Sequence, residues 1–516
     1  MPLTCYPPLA IVSPRTLTWP DYVSLAVYFS VSLAIGWWWR RKKQSSAQFM
    51  LGDRKLVWWA AAISFMATAT SSISFMALPA RSFSTDWLSY GSAPAQALAG
   101  VIVGVVFVGA LRRLNLTTIF GYLEQRFDCR VRFVGAGLAI LLKVGGRMSV
   151  VMLLPALALS TVTGFDKYWS ILLMGVVTTI YAMEGGFEAV VWTDVMQVGV
   201  TLCGVFVALA CMAHGVDGGF SAMIDTSHAA GKFHVLSTDW NLAQPTAVVF
   251  VGMFLGHIFV VLGDQPLMQR MLATSDAREA RRTVVTGNLI GMAGSTMFFF
   301  VGTMLWAFYH AHPERLAEGL ANDAIFPFFI ANEVPHGIVG LIIAGLFAAG
   351  MGALSSAMNA TAAIVVSDFQ GTLKPDATEA QRLRLARGAT LAAGVIATVM
   401  AMWLAWRGAA SLWDEYLKLI ALIGGGFPGV FALGLLSRRA NSTGVIIGVL
   451  TSVVVTWLVQ NYTDTSAFLH GFVAVASCML VGYVASLFFP DDAAQKNLGG
   501  LTVWDRRKTT TTASAA

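Results

Sequence analysis

The sequence predicts an all-α polytopic membrane protein, on three observations. Of its 516 residues, 56% are hydrophobic and 12% are charged, about half the charged share of a soluble domain. Mean hydropathy is +0.67. Apolar runs of the length that a spanning helix needs, about 20 residues, recur from one end of the chain to the other. By that measure about thirteen spans are expected. They fall near 20–39, 57–79, 89–111, 131–160, 167–183, 188–213, 246–268, 284–308, 335–366, 386–406, 414–436, 442–460 and 466–489. One transmembrane domain over 1–490 follows. The tail 491–516 ends in a Thr/Ala/Ser run and reads as cytoplasmic and disordered.

The loops set the orientation. Alternate loops carry Arg40, Arg41, Lys42 and Lys43, then Arg112, Arg113, Arg126, Arg130 and Arg132, then Arg270, Arg278, Arg281 and Arg282. Further on come Lys374, Arg382, Arg384 and Arg387, then Arg438 and Arg439, and in the tail Arg506, Arg507 and Lys508. The intervening loops are poorer in basic residues. Positive charge collects on the cytoplasmic side, so the N-terminus is expected outside and the C-terminus inside the cell inner membrane.

The net charge of +6 fits loops beside anionic lipid, not a nucleic-acid surface. Cys5, Cys129, Cys203, Cys211 and Cys478 have no regular spacing, so neither a disulfide framework nor a metal cluster is expected. No basic start with a cleavage site marks a removable signal peptide. P-loop, nucleophile-elbow, zinc-protease and dinucleotide motifs are missing, so neither an enzyme nor an ATP-driven pump is expected. The chain reads as a monomer or a weak oligomer.

Two spans are interrupted by polar residues. The second carries Thr68, Thr70, Ser71, Ser72 and Ser74 before Pro79; the seventh carries His257, Gly263, Asp264, Gln265 and Pro266. They lie five spans apart. Broken helices at matching places in two halves point to an inverted-repeat transporter with its site at the membrane midplane. The repeats would cover about 57–213 and 246–436.

Chemistry is expected on few residues. The stretch Ala348–Asp368 carries Ser355, Ser356, Asn359 and Thr361 among small residues. These are either helix-packing groups or oxygen ligands for a hard cation such as sodium. Asp194, in VVWTDVMQVGV, is a carboxylate at membrane depth, which implies a partner or a bound cation. Ser355 and Ser356 would complete such a site; alternatively Asp194 reaches water near the cytoplasmic end. Lys143 is expected to snorkel to the inner face. Arg147, deep in the fourth span, is either the partner of a buried carboxylate or an anchor for a carboxylate on the cargo. Asp264 either lines the cargo path or caps a helix break before Pro266. His257 reads as a packing residue.

Several segments together resemble the sodium/solute symporter family over about residues 20–490. They are FMLGDRKLVWWAAAISFMATATSSISFMALPA, TTIFGYLEQRFD, EGGFEAVVWTDVMQ, GDQPLMQRMLAT, the stretch around Asn359, and GGGFPGVFALGLLSRRANSTG. Within it, ARSFSTDW and GRMSVV look most like bacterial sialic-acid symporters and their relatives. The resemblance implies a leucine-transporter-like 5+5 inverted repeat working by alternating access. It implies sodium-coupled symport of a small organic solute, a carboxylate or sugar acid. A proton-coupled or uncoupled carrier of the same fold, or a sensor that binds without transport, is the alternative.

Carried over by position, the family's usual sodium site falls on backbone carbonyls of Ala67, Thr70 and Ala349. Its two hydroxyl positions fall on Gly352 and Ala353, which have none. A second site found in some members falls on Asp194, Ser355 and Ser356, all present. At the substrate positions Ser71, Ser74 and Arg147 match, whereas Ala69 and Ala93 stand where a hydroxyl and an amide are usual. The resemblance therefore implies a cargo with fewer hydroxyls than a sialic acid.

Overall fold

The structure, a computed structural model, describes residues 17–40, 45–407, 424–489 and 499–504. Among these residues, nine continuous helices are long and apolar enough to cross a membrane, and two bent pairs raise the number to eleven.

Helix α1 (Trp19–Arg40) is followed by α2 (Trp58–Ala69) and α3 (Ser72–Ser84). Between α2 and α3 the chain unwinds. Thr70 (φ −80°, ψ 140°) and Ser71 (φ −133°, ψ 172°) are extended, and the two axes meet at 62°. The hydroxyl-rich run expected to interrupt this span does so. Such a break is tolerated at membrane depth only where its freed backbone groups are buried in protein or face a cavity.

Next come α4 (Leu88–Arg113) and α5 (Cys129–Ser160). Each contains one wide π turn, over Val103–Phe107 and Lys143–Arg147. Helix α6 (Lys167–His214) runs for 48 residues. A straight helix of that length would measure about 72 Å, more than twice a hydrocarbon core of about 30 Å. Gly186 resolves this with φ 63° and ψ −154°, which divides the helix near the expected turn. A Cβ there would also stand 2.9 Å from the Phe49 ring.

The second broken span is α7 (Ala247–Gly263) with α8 (Gln265–Leu272), bent by 64°. Asp264 sits at the corner (φ −88°, ψ 100°), and its side chain accepts from Leu267 N at 3.2 Å. Pro266 follows in the first turn of α8, where its missing N–H leaves no helical bond unmade.

The remaining spans are α9 (Ala277–Ala311), α10 (Ile338–Leu373), α11 (Glu379–Arg407), a short apolar α12 (Phe427–Leu436), α13 (Ser442–Tyr462) and α14 (Ala467–Phe488). Helix α10 is the axis of the molecule. Of its most apolar stretch, 83% is buried, against 28–44% in the other continuous spans. Asp21 ties its start to that of α1. One carboxylate oxygen accepts from Thr18, the other from the backbone N–H groups of Gly337 and Gly340 at 2.8 and 2.9 Å. Gly340 permits this, since a Cβ there would stand 2.3 Å from the Asp21 carbonyl oxygen.

Most of the span expected at 414–436 lies from 424 onward; residues 414–423 lie outside the described residues. Within the tail expected to be disordered, residues 499–504 are docked. Leu501 O accepts from the Tyr122 hydroxyl at 3.0 Å, Val503 N donates to Leu435 O, and the Trp504 indole donates to Leu436 O at 2.6 Å.

Candidate functional site

Two clusters meet at the broken spans. The first surrounds Asp194, which is wholly buried. Its Oδ2 accepts from the Ser64 hydroxyl at 2.5 Å and from Arg270 Nη2 at 3.3 Å. Arg270 is buried as completely. It also donates through Nε to Ser64 Oγ (3.0 Å), through Nη1 to Pro266 O (2.8 Å) and through Nη2 to Ser356 Oγ (2.5 Å). Sequence reasoning counted Arg270 among cytoplasmic loop charges. The structure corrects this: the bend at Asp264 turns α8 inward and carries Arg270 into the core. A carboxylate at membrane depth needs a counter-charge, and the first basic residue after the second break supplies it. The alternative that Asp194 reaches water is likewise excluded by its burial.

The oxygen-bearing residues of α10 divide by partner. Ser356 joins the Asp194 network through Arg270 and shares a 2.9 Å hydrogen bond with the Thr68 hydroxyl. Ser355 donates to Gly352 O on its own helix at 3.2 Å, and Thr361 donates to Ala357 O at 2.8 Å. Asn359 donates to Phe49 O and accepts from Gln269 at 2.8 Å. It fastens the Ser46–Leu51 helix to the core.

Ala67, Thr70 and Ala349 converge. With Gln197 they line one cavity of about 50 Å³, room for a small ion together with water. Gly352 borders this region. A Cβ added there would stand 3.0 Å from Asp194 Oδ1, 3.1 Å from Gln197 Oε1 and 3.9 Å from Ala67 Cβ. Both oxygens are buried, and neither has a hydrogen-bond donor among the described residues. Buried polar atoms are almost always satisfied. Two acceptors facing one gap, one of them a carboxylate oxygen, fit a small cation. Gln197 was missed from sequence. Its signal was its place three residues after Asp194, on the same helix face.

The second cluster lies at Asp264. Lys143 Nζ donates to Asp264 Oδ2 at 2.5 Å, and Arg147 Nη1 lies 3.9 Å from the same oxygen. Lys143 therefore pairs with a half-buried acid instead of snorkelling to the membrane surface. Asp264 caps α8 at the break and also lines a cavity. Arg147 Nη2 also reaches Thr68 O at 3.4 Å. Thr68 thus touches both clusters, by its carbonyl oxygen at Arg147 and by its hydroxyl at Ser356.

A cavity of about 330 Å³ opens here, lined by Ala69, Thr70, Ser74, Ala93, Arg147, His257 and Asp264. Gln96 and Asn288 also line it and were missed from sequence, because neither interrupts its apolar run. They restore amide groups to a wall from which Ala69 and Ala93 remove polar ones. Ser71 is buried at the α2–α3 break and is not part of this lining. A second cavity of about 320 Å³ shares Arg147, Val260 and Asp264 with the first and adds Lys143, Thr361 and Phe427.

Residues 49–452 match the model of the sodium:solute symporter family. The chain is 31% identical over 500 residues to the sodium/sialic acid symporter NanT of Aliivibrio fischeri, covering 96% of this chain and 98% of that one. It is 28% identical over 441 residues to the sodium-coupled monocarboxylate transporter 1 of Homo sapiens, covering 83% and 71%. Among solved structures, a Na+-coupled sialic acid symporter in a substrate-bound outward-open state superposes with a TM-score of 0.84. That match is 30% identical and covers 92% of this chain and 98% of the other. The chain belongs to the sodium:solute symporter family. It is a multi-pass membrane transporter of leucine-transporter-like fold that couples a small organic solute to sodium, and not an enzyme.

Proposed function

We propose that this symporter carries a sugar acid of the sialic-acid type, with the cargo's carboxylate on Arg147 and the sodium ion beside Gly352; Gln96 and Asn288 in the cavity wall replace the expectation of a less hydroxylated cargo drawn from Ala69 and Ala93. One observation carries the reading: Arg147 is a guanidinium inside a membrane-embedded cavity with no carboxylate in hydrogen-bond reach among the described residues. Its distance to Asp264 Oδ2 is 3.9 Å, and its side chain is 34% exposed. Guanidinium groups match carboxylates through paired, parallel hydrogen bonds. A volume of about 330 Å³ is at the small end of ligand pockets. Ser74, Gln96 and Asn288 would meet the cargo's hydroxyl and amide groups.

The ion's ligands on this reading are Asp194 Oδ1, Gln197 Oε1 and the backbone at Ala67, Thr70 and Ala349. Arg270 already supplies positive charge to Ser356 and to Asp194 Oδ2, which favours the Gly352 side over the Ser355 and Ser356 side. Gln197 would thus stand in for the hydroxyls that Gly352 and Ala353 lack. Thr68 would link ion to cargo from the end of α2, because its hydroxyl meets Ser356 of the Asp194 network and its carbonyl oxygen meets Arg147. An ion that holds the α2–α3 break in place then also holds the carbonyl that Arg147 contacts. One sodium ion cancels the charge of a monoanionic cargo, so the membrane potential drops out and the sodium concentration ratio drives accumulation, about 1.4 kcal/mol per tenfold. The reading includes a cell inner membrane location, the N-terminus outside, and a monomer or weak oligomer.

Uptake into proteoliposomes tests it. Labelled N-acetylneuraminate should accumulate under an inward sodium gradient and not under an equal potassium or proton gradient. Accumulation driven by protons alone would replace sodium by the proton-coupled alternative. Sodium-driven uptake of lactate without N-acetylneuraminate would move the cargo to small monocarboxylates.

A further inference from the structure

Arg147 and Asp264 form part of the wall of two cavities, of about 330 and 320 Å³. Three charged side chains meet there, and their bonding is unequal. Both oxygens of Asp264 are committed: Oδ1 caps α8 at Leu267 N, and Oδ2 takes Lys143 Nζ at 2.5 Å. Arg147 lies 3.9 Å from that same Oδ2, and its contact with Thr68 O is long at 3.4 Å. The π turn Lys143–Arg147 brings both cations to the same acid, as such turns often do at working sites. Two bases meet one acid, so the cluster carries one surplus positive charge. The fully buried pair nearby, Asp194 with Arg270, is neutral by itself.

We propose that Lys143 is a positioning residue: by holding Asp264 it keeps the Arg147 guanidinium uncommitted, so that a carboxylate of the cargo neutralises the cluster. The carboxylate part rests on the function proposed above. Without Lys143, Asp264 is the nearest acid to Arg147, and the two would close into a neutral pair that shuts the cargo out. A lysine suits the task better than an arginine. Its ammonium is a point charge that holds one oxygen and leaves the other to cap α8, whereas a guanidinium tends to take both. Because Arg147 borders both cavities, the same guanidinium can keep the carboxylate as access changes from one to the other.

The test reads Arg147 directly, in the purified full chain, by phenylglyoxal labelling and peptide mass spectrometry. Arg147 should label readily in the wild type. In Lys143→Met its labelling should slow roughly tenfold, within the coupling expected of contacting charges. In Lys143→Met with Asp264→Asn it should return to the wild-type rate, because asparagine still caps α8. If Lys143→Met does not fold, Lys143→Gln is read in the same way. Unchanged labelling in the single variants, or slow labelling that persists in the double variant, overturns the positioning role. A second arm adds N-acetylneuraminate, lactate or the uncharged N-acetylmannosamine in sodium buffer. The two acids should protect Arg147 and the uncharged sugar should not. If neither acid protects while Lys143 variants still slow the labelling, the positioning of Arg147 stands and the carboxylate cargo falls.

Discussion

Asp194 and Arg270 lie 3.3 Å apart with neither side chain reaching solvent. They come from α6 and α8, and Ser64 of α2 and Ser356 of α10 bond to the same guanidinium. One ion pair therefore joins four helices, two of which belong to broken spans.

Removing one member leaves an uncompensated charge in a dry core, which costs about 3–5 kcal/mol. Arg270→Met should therefore lower the melting temperature sharply. Adding Asp194→Asn to it should recover most of the loss, because the double variant buries no net charge. Thermal unfolding in detergent checks this. A single variant that melts with the wild type would show that the pair is incidental.

The gap beside Gly352 makes a separate prediction. Gly352→Ala places a methyl 3.0 Å from Asp194 Oδ1 and 3.1 Å from Gln197 Oε1. The fold can absorb a shift of a few tenths of an ångström, but a bound cation loses its space. Apparent sodium affinity should fall roughly tenfold, about 1.4 kcal/mol, read as the sodium dependence of thermal stability against potassium. Gln197→Leu should reduce it similarly. The opposing result is a sodium response unchanged in both variants. It would mean that the Gln197 amide is turned over, donating to Asp194 without an ion.

Much of this arrangement was legible in the sequence, and what was not has a common cause. The breaks at Thr70 and Asp264 showed as polar runs inside apolar spans, and the division of α6 showed as the gap between the spans expected at 167–183 and 188–213. Asp194 and Arg147 stood out because charge is rare at that depth. Their bonding did not. Arg270 lies just past an expected span, where a basic residue usually faces the cytoplasm, and Lys143 lies within one, where a long side chain is expected to snorkel to the surface. Only the 64° bend of α8 and the wide turn of α5 bring them to acids inside the protein. Gln96 and Asn288 carry no charge, so nothing in one sequence separates them from packing residues, and Gln197 was marked only by sharing a helix face with Asp194.

Gly186 tests the division of α6. Its φ of 63° with ψ of −154° is a region that in practice only glycine occupies, and a side chain forced there costs about 1–3 kcal/mol. Contact with Phe49 adds to this. Gly186→Ala should lower thermal stability while sodium still stabilises what remains folded. A melting temperature equal to that of the wild type would contradict the backbone assignment at this turn.

The most direct test of the whole account is the affinity for N-acetylneuraminate in sodium against that in potassium, at equal ionic strength, on the purified protein. Coupled sites change each other's affinity by roughly 5–150-fold. Tighter binding in sodium by about tenfold or more is expected, with loss of the difference in Gln197→Leu and loss of binding in Arg147→Met. Equal affinity in the two salts would contradict an ion site linked to Arg147 through Thr68.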